Sequence, residues 1–180
     1  MKITDKIEIT NEDNMTLMSR YEDNYFDLAI IDPPYGLGKK TTSGGKKRNS
    51  NARFENHLWD EEIPKKEFFD ELFRVSKNQI IWGGNYMIEY LKNTRCFICW
   101  DKEVYIPTMS RIEFAWTSFN KLPVFVKIDN NQNDRIHPTQ KPIKLYKFLI
   151  DKFLNGGGEY LIPTWEAVQS QLLVTITASN

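Results

Sequence analysis

The chain has 180 residues, of which 41% are hydrophobic and 27% are charged, enough to bury one core of ordinary size but short for two. Lysine plus arginine and aspartate plus glutamate both number 24, so net charge gives no general attraction to nucleic acid, and such contacts would need local clustering. No stretch has the pattern of a signal peptide or of a membrane span. We therefore expect a cytoplasmic protein without a membrane partner.

The first part of the chain alternates strand-like and helix-like patterns. The spacing predicts a short strand over Lys6 to Thr10, a helix over Asn14 to Tyr21, and a buried strand over Asp27 to Asp32. The segment from Gly36 to Arg53 is low in apolar residues and rich in Gly, Ser and Lys, which predicts a loop.

A second helix and a second buried strand follow this loop. Pro64 can start a helix with one apolar face. The residues of that face are Phe68, Phe69, Leu72, Phe73 and Val75. Gln79 to Gly84 reads as a buried strand, and Asn85 to Leu91 as a short helix.

Three strand patterns and a long helix complete this region. Cys96 to Trp100 predicts a strand, and the patterns over Arg111 to Phe119 and Pro123 to Ile128 predict an antiparallel pair. Pro142 then opens the helix over Ile143 to Leu154. This alternation of strands and helices predicts a three-layer α/β sandwich with a largely parallel sheet.

The chain has two cysteines, Cys96 and Cys99, in the stretch "RCFICW". Successive residues of a strand point to opposite faces, which makes this an awkward place for a redox or zinc site. We expect two small core residues in a reducing compartment and predict no metal site.

The buried strand ends on "DPPY", residues Asp32 to Tyr35. In open α/β sheets, ligands bind at the carboxyl ends of strands. Proline has no N–H and a fixed φ, so two prolines leave carbonyl oxygens on a stiff backbone beside a carboxylate that accepts hydrogen bonds. Fixed acceptors with an aromatic ring beside them match a planar group that carries an amino group, such as a nucleobase. An ordinary Asp-Pro turn is the alternative.

The stretch "DLAIIDPPYG" resembles the catalytic motif of amino-group DNA methyltransferases, the adenine-N6 and cytosine-N4 enzymes that use S-adenosylmethionine. "FRVSKNQIIWGGNY", "CWDK", "EFAWTSF" and "NQNDRIHPTQKP" also resemble members in which the catalytic motif comes first, especially those of phages and prophages. The resemblance runs to about Leu154. It implies a Rossmann-like methyltransferase fold, S-adenosylmethionine as cofactor and double-stranded DNA as substrate.

The resemblance also implies roles for the four motif residues. Asp32 and the carbonyl of Pro33, stiffened by Pro34, would accept the hydrogens of the target amine, and Tyr35 would stack on a base flipped out of the duplex. Asp at the first position favours adenine N6, while cytosine N4 stays open. Methylation of protein glutamine is disfavoured, because that related motif begins with Asn.

The segment "HPTQKP" resembles the family segment that closes over the methionine part of the cofactor. Its predicted cofactor-binding residues are His137, Thr139, Gln140, Lys141 and Pro142. Asp13 aligns with a family acid near the adenosyl part. Without the resemblance, His137 would be a capping or loop histidine, Lys141 a solvated charge and Asp13 a helix-capping residue.

The loop after the catalytic motif is basic. Its cationic residues are Lys39, Lys40, Lys46, Lys47, Arg48 and Arg53. They can attract DNA phosphates without regard to sequence, or they can form a solvated loop. Both interpretations stay open.

The family pattern stops after Leu154, which divides the chain into a catalytic region, residues 1–154, and a tail, residues 155–180. The family places a cofactor-binding strand and a glycine loop of the form Asp-x-x-x-Gly-x-Gly here. The glycines at 156–158 come too early, and a helix C-cap is their better interpretation. The predicted fold is therefore incomplete at its C-terminus, with "LLVTITAS" a candidate to fill the sheet.

Two functions follow. The chain is either an adenine methyltransferase, completed by a second chain that supplies the cofactor strand, or a truncated relic or DNA-binding remnant without activity. Its expected protein partner is a homodimer copy or this complementing chain. The sequence does not give the recognition site.

The codons of the tail suggest how the glycine loop was lost. One permitted codon choice for Gly158 to Gln169, read one base earlier, translates as Arg-Ile-Phe-Asp-Thr-His-Leu-Gly-Ser-Gly. The first glycine of the loop is nearly fixed, because the codon of Trp165 ends in G and those of Glu166 begin with GA. We therefore expect that loss of one base in the glycine codons at 156–158 created an out-of-frame tail.

Overall fold

The computed structural model describes residues 2–4, 7–37, 62–105, 110–130, 140–154, 158–164 and 172–178. These residues form one mixed sheet, with helices on both of its faces. The strands are β1 (Lys2–Thr4), β2 (Ile7–Asn11), β3 (Leu28–Ile31), β4 (Gln79–Trp82), β5 (Phe97–Asp101), β6 (Ile112–Thr117), β7 (Val124–Lys127), β8 (Gly158–Thr164) and β9 (Leu172–Ala178). The α-helices are α1 (Asn14–Met18), α2 (Lys66–Val75) and α3 (Ile143–Leu154).

The sheet has the order β1-β2-β9-β8-β3-β4-β6-β5-β7. Strand β3 pairs in parallel with β4 and β8, and β5 pairs in parallel with β7. The other five neighbouring pairs are antiparallel. The prediction of a largely parallel sheet is therefore wrong, because five of the eight neighbouring pairs of the described sheet are antiparallel.

The predicted antiparallel pairing of Arg111 to Phe119 with Pro123 to Ile128 is also wrong. Strand β6 inserts between β4 and β5, and β7 lies on the far side of β5, parallel to it. Ile98 of β5 therefore pairs with both Ala115 and Val124. Short strands with similar alternation do not show in sequence which neighbour each one chooses.

The α/β architecture with two helical layers is as predicted. Helix α2 packs Phe69 and Leu72 against Ala29, Ile31 and Ile81 on one face of the sheet. On the other face, α3 packs an apolar stripe against β3, β4 and β5. The residues of that stripe are Leu145, Leu149 and Phe153. All residues of β3 and β4 are buried, as expected for strands covered on both faces.

Two helices differ from prediction because of local hydrogen bonds: α1 is shorter, and the helix after β4 is of a different type. Helix α1 ends at Met18, and the Ser19 hydroxyl donates to the carbonyl of Thr16 at 2.8 Å. The predicted helix over Asn85 to Leu91 is two 3₁₀ turns, Gly84–Tyr86 and Ile88–Tyr90, because the amides there bond to carbonyls three residues back. None of the helices within the described ranges combines the length and apolar character that a bilayer span requires.

The tail supplies two strands to the sheet. Strand β8 pairs in parallel with β3, placing Tyr160 opposite Leu28 and Leu161 opposite Ala29. Strand β9 then joins β8 to β2. The expected strand of "LLVTITAS" is therefore present, although β8 is the neighbour of β3. Gly158 begins β8, so the helix C-cap interpretation does not apply to it.

Among the described residues, the two cysteines belong to no metal-binding cluster, and both are free thiols. Cys96 is fully buried and its thiol donates to the carbonyl of Leu122, as expected of a core residue. Cys99 is only half-buried, and burial raises the pKa of its thiol. In the part of the chain that the structure describes, no three His, Cys, Asp or Glu side chains cluster as metal ligands would.

An ion pair at the end of β5 gives a prediction on pH dependence. Arg111 donates to both oxygens of Asp101, and with the Glu103 amide it lowers the pKa of Asp101 from 3.8 to about 2. A lowered pKa contributes stability above pH 3.8, and this contribution is lost as pH falls towards 2. The difference in urea midpoint between the wild type and Asp101→Asn should therefore shrink between neutral pH and pH 2.5. A difference that stays constant would contradict it.

Candidate functional site

Strand directions bring five chain segments together at the end of the sheet where β3, β4 and β5 terminate and β6 begins. We call this end the sheet edge. Strands β3, β4 and β5 run in the same direction, so the residues that follow them, Asp32, Gly83 and Lys102, lie at this edge. Strand β6 runs the opposite way, so Glu113 near its start lies there too. Lys141, just before α3, contacts the same group. Residues far apart in the sequence therefore form one site.

The Asp-Pro-Pro-Tyr motif is rigid and mostly buried. Both prolines are buried, and Tyr35 is half-buried. The hydroxyl of Tyr35 donates to Oδ1 of Asp32 at 2.8 Å. The other carboxylate oxygen, Oδ2, accepts a hydrogen bond from Nζ of Lys141. Each oxygen of a carboxylate has two lone pairs, so Asp32 keeps acceptor capacity beyond these two bonds.

Four charged side chains, Asp32, Lys102, Glu113 and Lys141, form what we call the charge cluster. Lys141 Nζ contacts Asp32 and lies 3.4 Å from Oε2 of Glu113. Lys102 Nζ donates to Oε1 of Glu113 at 2.9 Å. The side chains of Lys102 and Lys141 are only 7% and 5% exposed. Two cations balance two anions, as burial of charge requires.

Burial and neighbouring charge act differently on the two carboxyls. Burial raises the pKa of Asp32 above its ordinary range, against the opposing effects of Lys141 and Tyr35. Burial also acts to raise the pKa of Glu113, but the charges of Lys141 and Lys102 outweigh it, and the pKa is lowered. The pKa values of the two carboxyls in the charge cluster are therefore shifted in opposite directions.

Aromatic rings surround the cationic end of Lys141. Its Nζ lies 5.1 Å from the ring centre of Trp82 and 6.0 Å from that of Tyr35, within the range of cation–π attraction. Tyr35 stacks on Tyr86 with ring centres 5.2 Å apart and planes 21° apart. Tyr86 is 46% exposed, so this aromatic pair links the buried charges to the surface.

The Tyr35 ring depends on the glycine that follows β4. Gly83 has a φ of +63°, and a Cβ there would lie 2.2 Å from the Tyr35 ring. We expect Gly83→Ala to displace Tyr35 and to cost more than the ~1–2 kcal/mol of a left-handed alanine. Urea denaturation measures this cost. Gly36→Ala is the control, because Gly36 shares a positive φ of +69° but is exposed. Equal losses in the two variants would contradict a specific role of Gly83 under the ring.

The other predicted site residues have different outcomes. Asp13 caps α1 by accepting from the Thr16 amide at 2.9 Å, so the capping interpretation is confirmed. Gln140 is half-buried beside Lys141. Pro142 is buried and its carbonyl accepts from the amide of Leu145. The solvated interpretation of Lys141 is wrong. His137, Thr139 and the basic-loop residues Lys39, Lys40, Lys46, Lys47, Arg48 and Arg53 lie outside the described residues.

Sequence reasoning missed Lys102, Glu113 and Tyr86. All three lie in stretches that carry the family resemblance, "CWDK", "EFAWTSF" and "GGNY", but no role was assigned to them. The sequence signal for this cluster is Glu113, a charged residue within the apolar pattern of β6. A half-buried Glu needs a cationic partner. Which cation it meets depends on the strand order, and the sequence does not give that order.

Comparison with known proteins does not assign this chain to a family. Neither the scan against protein-family models nor the search of curated proteins finds a match to this chain.

Proposed function

We propose that this chain carries the base-binding half of an adenine-N6 DNA methyltransferase with a Rossmann-like fold, and that its cofactor-binding half is impaired. One observation carries the proposal: the ion pair between Asp32 and Lys141 joins the "DPPY" and "HPTQKP" segments, which lie 109 residues apart. The family resemblance assigns both segments to one active site, and the pair brings them into direct contact. An ordinary Asp-Pro turn has no need of a buried lysine partner.

The residues at the sheet edge suit a planar base that carries an amino group. Asp32 and the carbonyl of Pro33 accept the two hydrogens of the amine, and the acceptors draw the nitrogen lone pair out of conjugation with the ring. Tyr35 and the more exposed Tyr86, on which it stacks, supply the aromatic surface for a base flipped out of the duplex. The stiff Pro33-Pro34 backbone fixes these acceptors in advance, so catalysis depends mainly on orientation and electrostatics.

The residues present do not fit S-adenosylmethionine as the family binds it. Strand β8 occupies the position beside β3, but no glycine occurs anywhere from Glu159 to Asn180. A glycine loop at the carboxyl end of this strand lets the backbone approach the cofactor closely. The chain offers no such loop, and we derive no step through the cofactor.

A catalytically inactive, DNA-binding remnant is the second candidate function. The missing glycine loop favours it. A second chain could restore activity only by displacing β8, since β8 already pairs with β3. Calorimetry with S-adenosylmethionine separates the two candidates, because a chain that does not bind the cofactor does not methylate alone.

The test of the motif is Asp32→Ala in a form repaired at its C-terminus. We expect methyl transfer to fall by at least about 10²–10³-fold, because an oriented acceptor of the reacting amine is lost. DNA binding, measured by fluorescence anisotropy, should survive. Asp70→Ala is the matched control, because Asp70 is an exposed acid paired with Lys66 on α2. Wild-type turnover by the Asp32 variant would remove the basis of the proposal.

A further inference from the structure

We propose that Lys141 is a movable counterion that alternates between Asp32 and Glu113, and that its transfer to Glu113 frees Asp32 to accept a hydrogen bond from the amino group of a base. This inference rests on the proposed function, because it assumes an amine as the ligand of Asp32. It makes Lys141 and Glu113 positioning residues that act through Asp32.

The geometry places Lys141 between two alternative acceptors. Its Nζ contacts Oδ2 of Asp32 and lies 3.4 Å from Oε2 of Glu113. A charge-assisted hydrogen bond measures about 2.7–2.9 Å, so a movement of roughly 0.6 Å brings Nζ into range of Glu113, and rotation about the terminal side-chain bonds then carries it away from Asp32. Such a movement is small for a lysine side chain with four rotatable bonds.

One carboxylate oxygen of Glu113 can accept a hydrogen bond from Lys141. Its Oε1 accepts from Lys102, whereas its Oε2 is buried and accepts no hydrogen bond of ordinary geometry from the described residues. Its nearest cation, the Lys141 ammonium at 3.4 Å, is at the long limit of a hydrogen bond, so the oxygen gains from a closer approach. The movement of Lys141 would satisfy this oxygen and leave Asp32 with the Tyr35 hydroxyl as its donor.

The charge that develops in the proposed reaction favours this movement, although Asp32 has acceptor capacity left in either position. The amine nitrogen gains positive charge as it forms a bond to carbon, and a lysine ammonium on the same carboxylate opposes that charge. Transfer of Lys141 to Glu113 keeps the charge cluster neutral while it separates the two cations. Asp32 then meets the amine as an acceptor with its full negative charge.

Lys102 sets the balance between the two positions. It neutralises Glu113 and so weakens the attraction of Glu113 for Lys141. Lys102→Met should therefore shift Lys141 onto Glu113, and Glu113→Gln should hold it on Asp32. A fixed ion pair between Lys141 and Asp32 predicts no relocation in either variant.

The first experiment locates the Lys141 ammonium by NMR in the 180-residue chain. Couplings across the hydrogen bond are measured between ¹⁵Nζ of lysine and ¹³C-labelled carboxylates of Asp or Glu, with Lys141→Arg to assign the signal. We expect coupling to Asp32 in the wild type and in Glu113→Gln, and coupling to Glu113 in Lys102→Met. If Lys102→Met does not fold, Lys102→Gln replaces it. Coupling to Asp32 in every variant overturns the proposal.

The second experiment titrates adenosine and purine riboside, which lacks the amino group, into the same proteins. Lys102→Met should bind adenosine roughly tenfold more tightly than the wild type, as one hydrogen bond to a charged acceptor implies, and Glu113→Gln should bind it more weakly. Purine riboside should show neither change. Equal adenosine affinity in all three proteins overturns the proposal. Relocation of Lys141 without binding of either nucleoside supports the movable counterion and contradicts the proposed function.

Discussion

Replacing Lys141 with methionine should lower the free energy of unfolding by about 3–5 kcal/mol, because it leaves the Asp32 and Glu113 carboxylates sharing one buried cation. Lys141 is 5% exposed in its side chain and contacts both acids, so water cannot take its place easily. Urea denaturation at neutral pH measures the loss.

Two further variants make this result specific. Lys66→Met removes an ion pair with Asp70 whose side chains are 66% and 59% exposed, and it should cost no more than about 1 kcal/mol. The double variant Asp32→Asn with Lys141→Met restores the charge balance and should recover most of the lost stability. A Lys141 variant no less stable than the Lys66 variant would show that the charge cluster contributes little to folding.

Inserting one base into the glycine codons at 156–158 should convert a chain without measurable affinity for S-adenosylmethionine into one that binds it. The expected Kd lies in the range of about 1 µM to 1 mM that is usual for enzyme substrates. In the shifted frame, Ile-Phe is followed by Asp-Thr-His-Leu-Gly-Ser-Gly, which matches the family form Asp-x-x-x-Gly-x-Gly. Such a glycine loop accommodates close approach of the cofactor.

The shifted frame extends consistently beyond the glycine loop. The codons from Val168 to Leu173 permit Ser-Ile-Ala-Ile-Ala, in which serine is a suitable N-cap and the alanines favour a helix. A strand, a glycine loop and a helix in succession are the elements of a nucleotide-binding unit. The wild-type frame encodes a β-rich tail from the same bases.

Calorimetry on the one-base insertion, with a two-base insertion as the control, tests this prediction. The two-base insertion enters the third frame and should not bind the cofactor. The gene sequence gives an independent check, because the codon for Leu161 must begin with T to encode phenylalanine in the shifted frame. A Leu161 codon that begins with C would contradict the proposed strand.

The sequence predicted the elements whose pattern is local. The bounds of α3, Ile143–Leu154, agree with the structure, because proline fixes its start and its apolar stripe is regular. Strand β3 was recognised from its apolar run. The neighbours of β6 and β7 were not recognised, because pairing depends on contacts between distant residues. The charge cluster was missed for the same reason, since Glu113 meets its cations only after β6 has inserted between β4 and β5.

The β8–β9 hairpin also covers one side of β3, a strand edge that would favour self-association if it were open. Without β8, the wholly apolar strand β3 would present unpaired amides and carbonyls on one side. An open, apolar strand edge is a template for strand addition from other chains and a starting point for aggregation. Because β8 pairs with Leu28 and Ala29 and β9 continues the sheet to β2, the tail covers β3, and β1 and β7 are the edge strands of the described sheet.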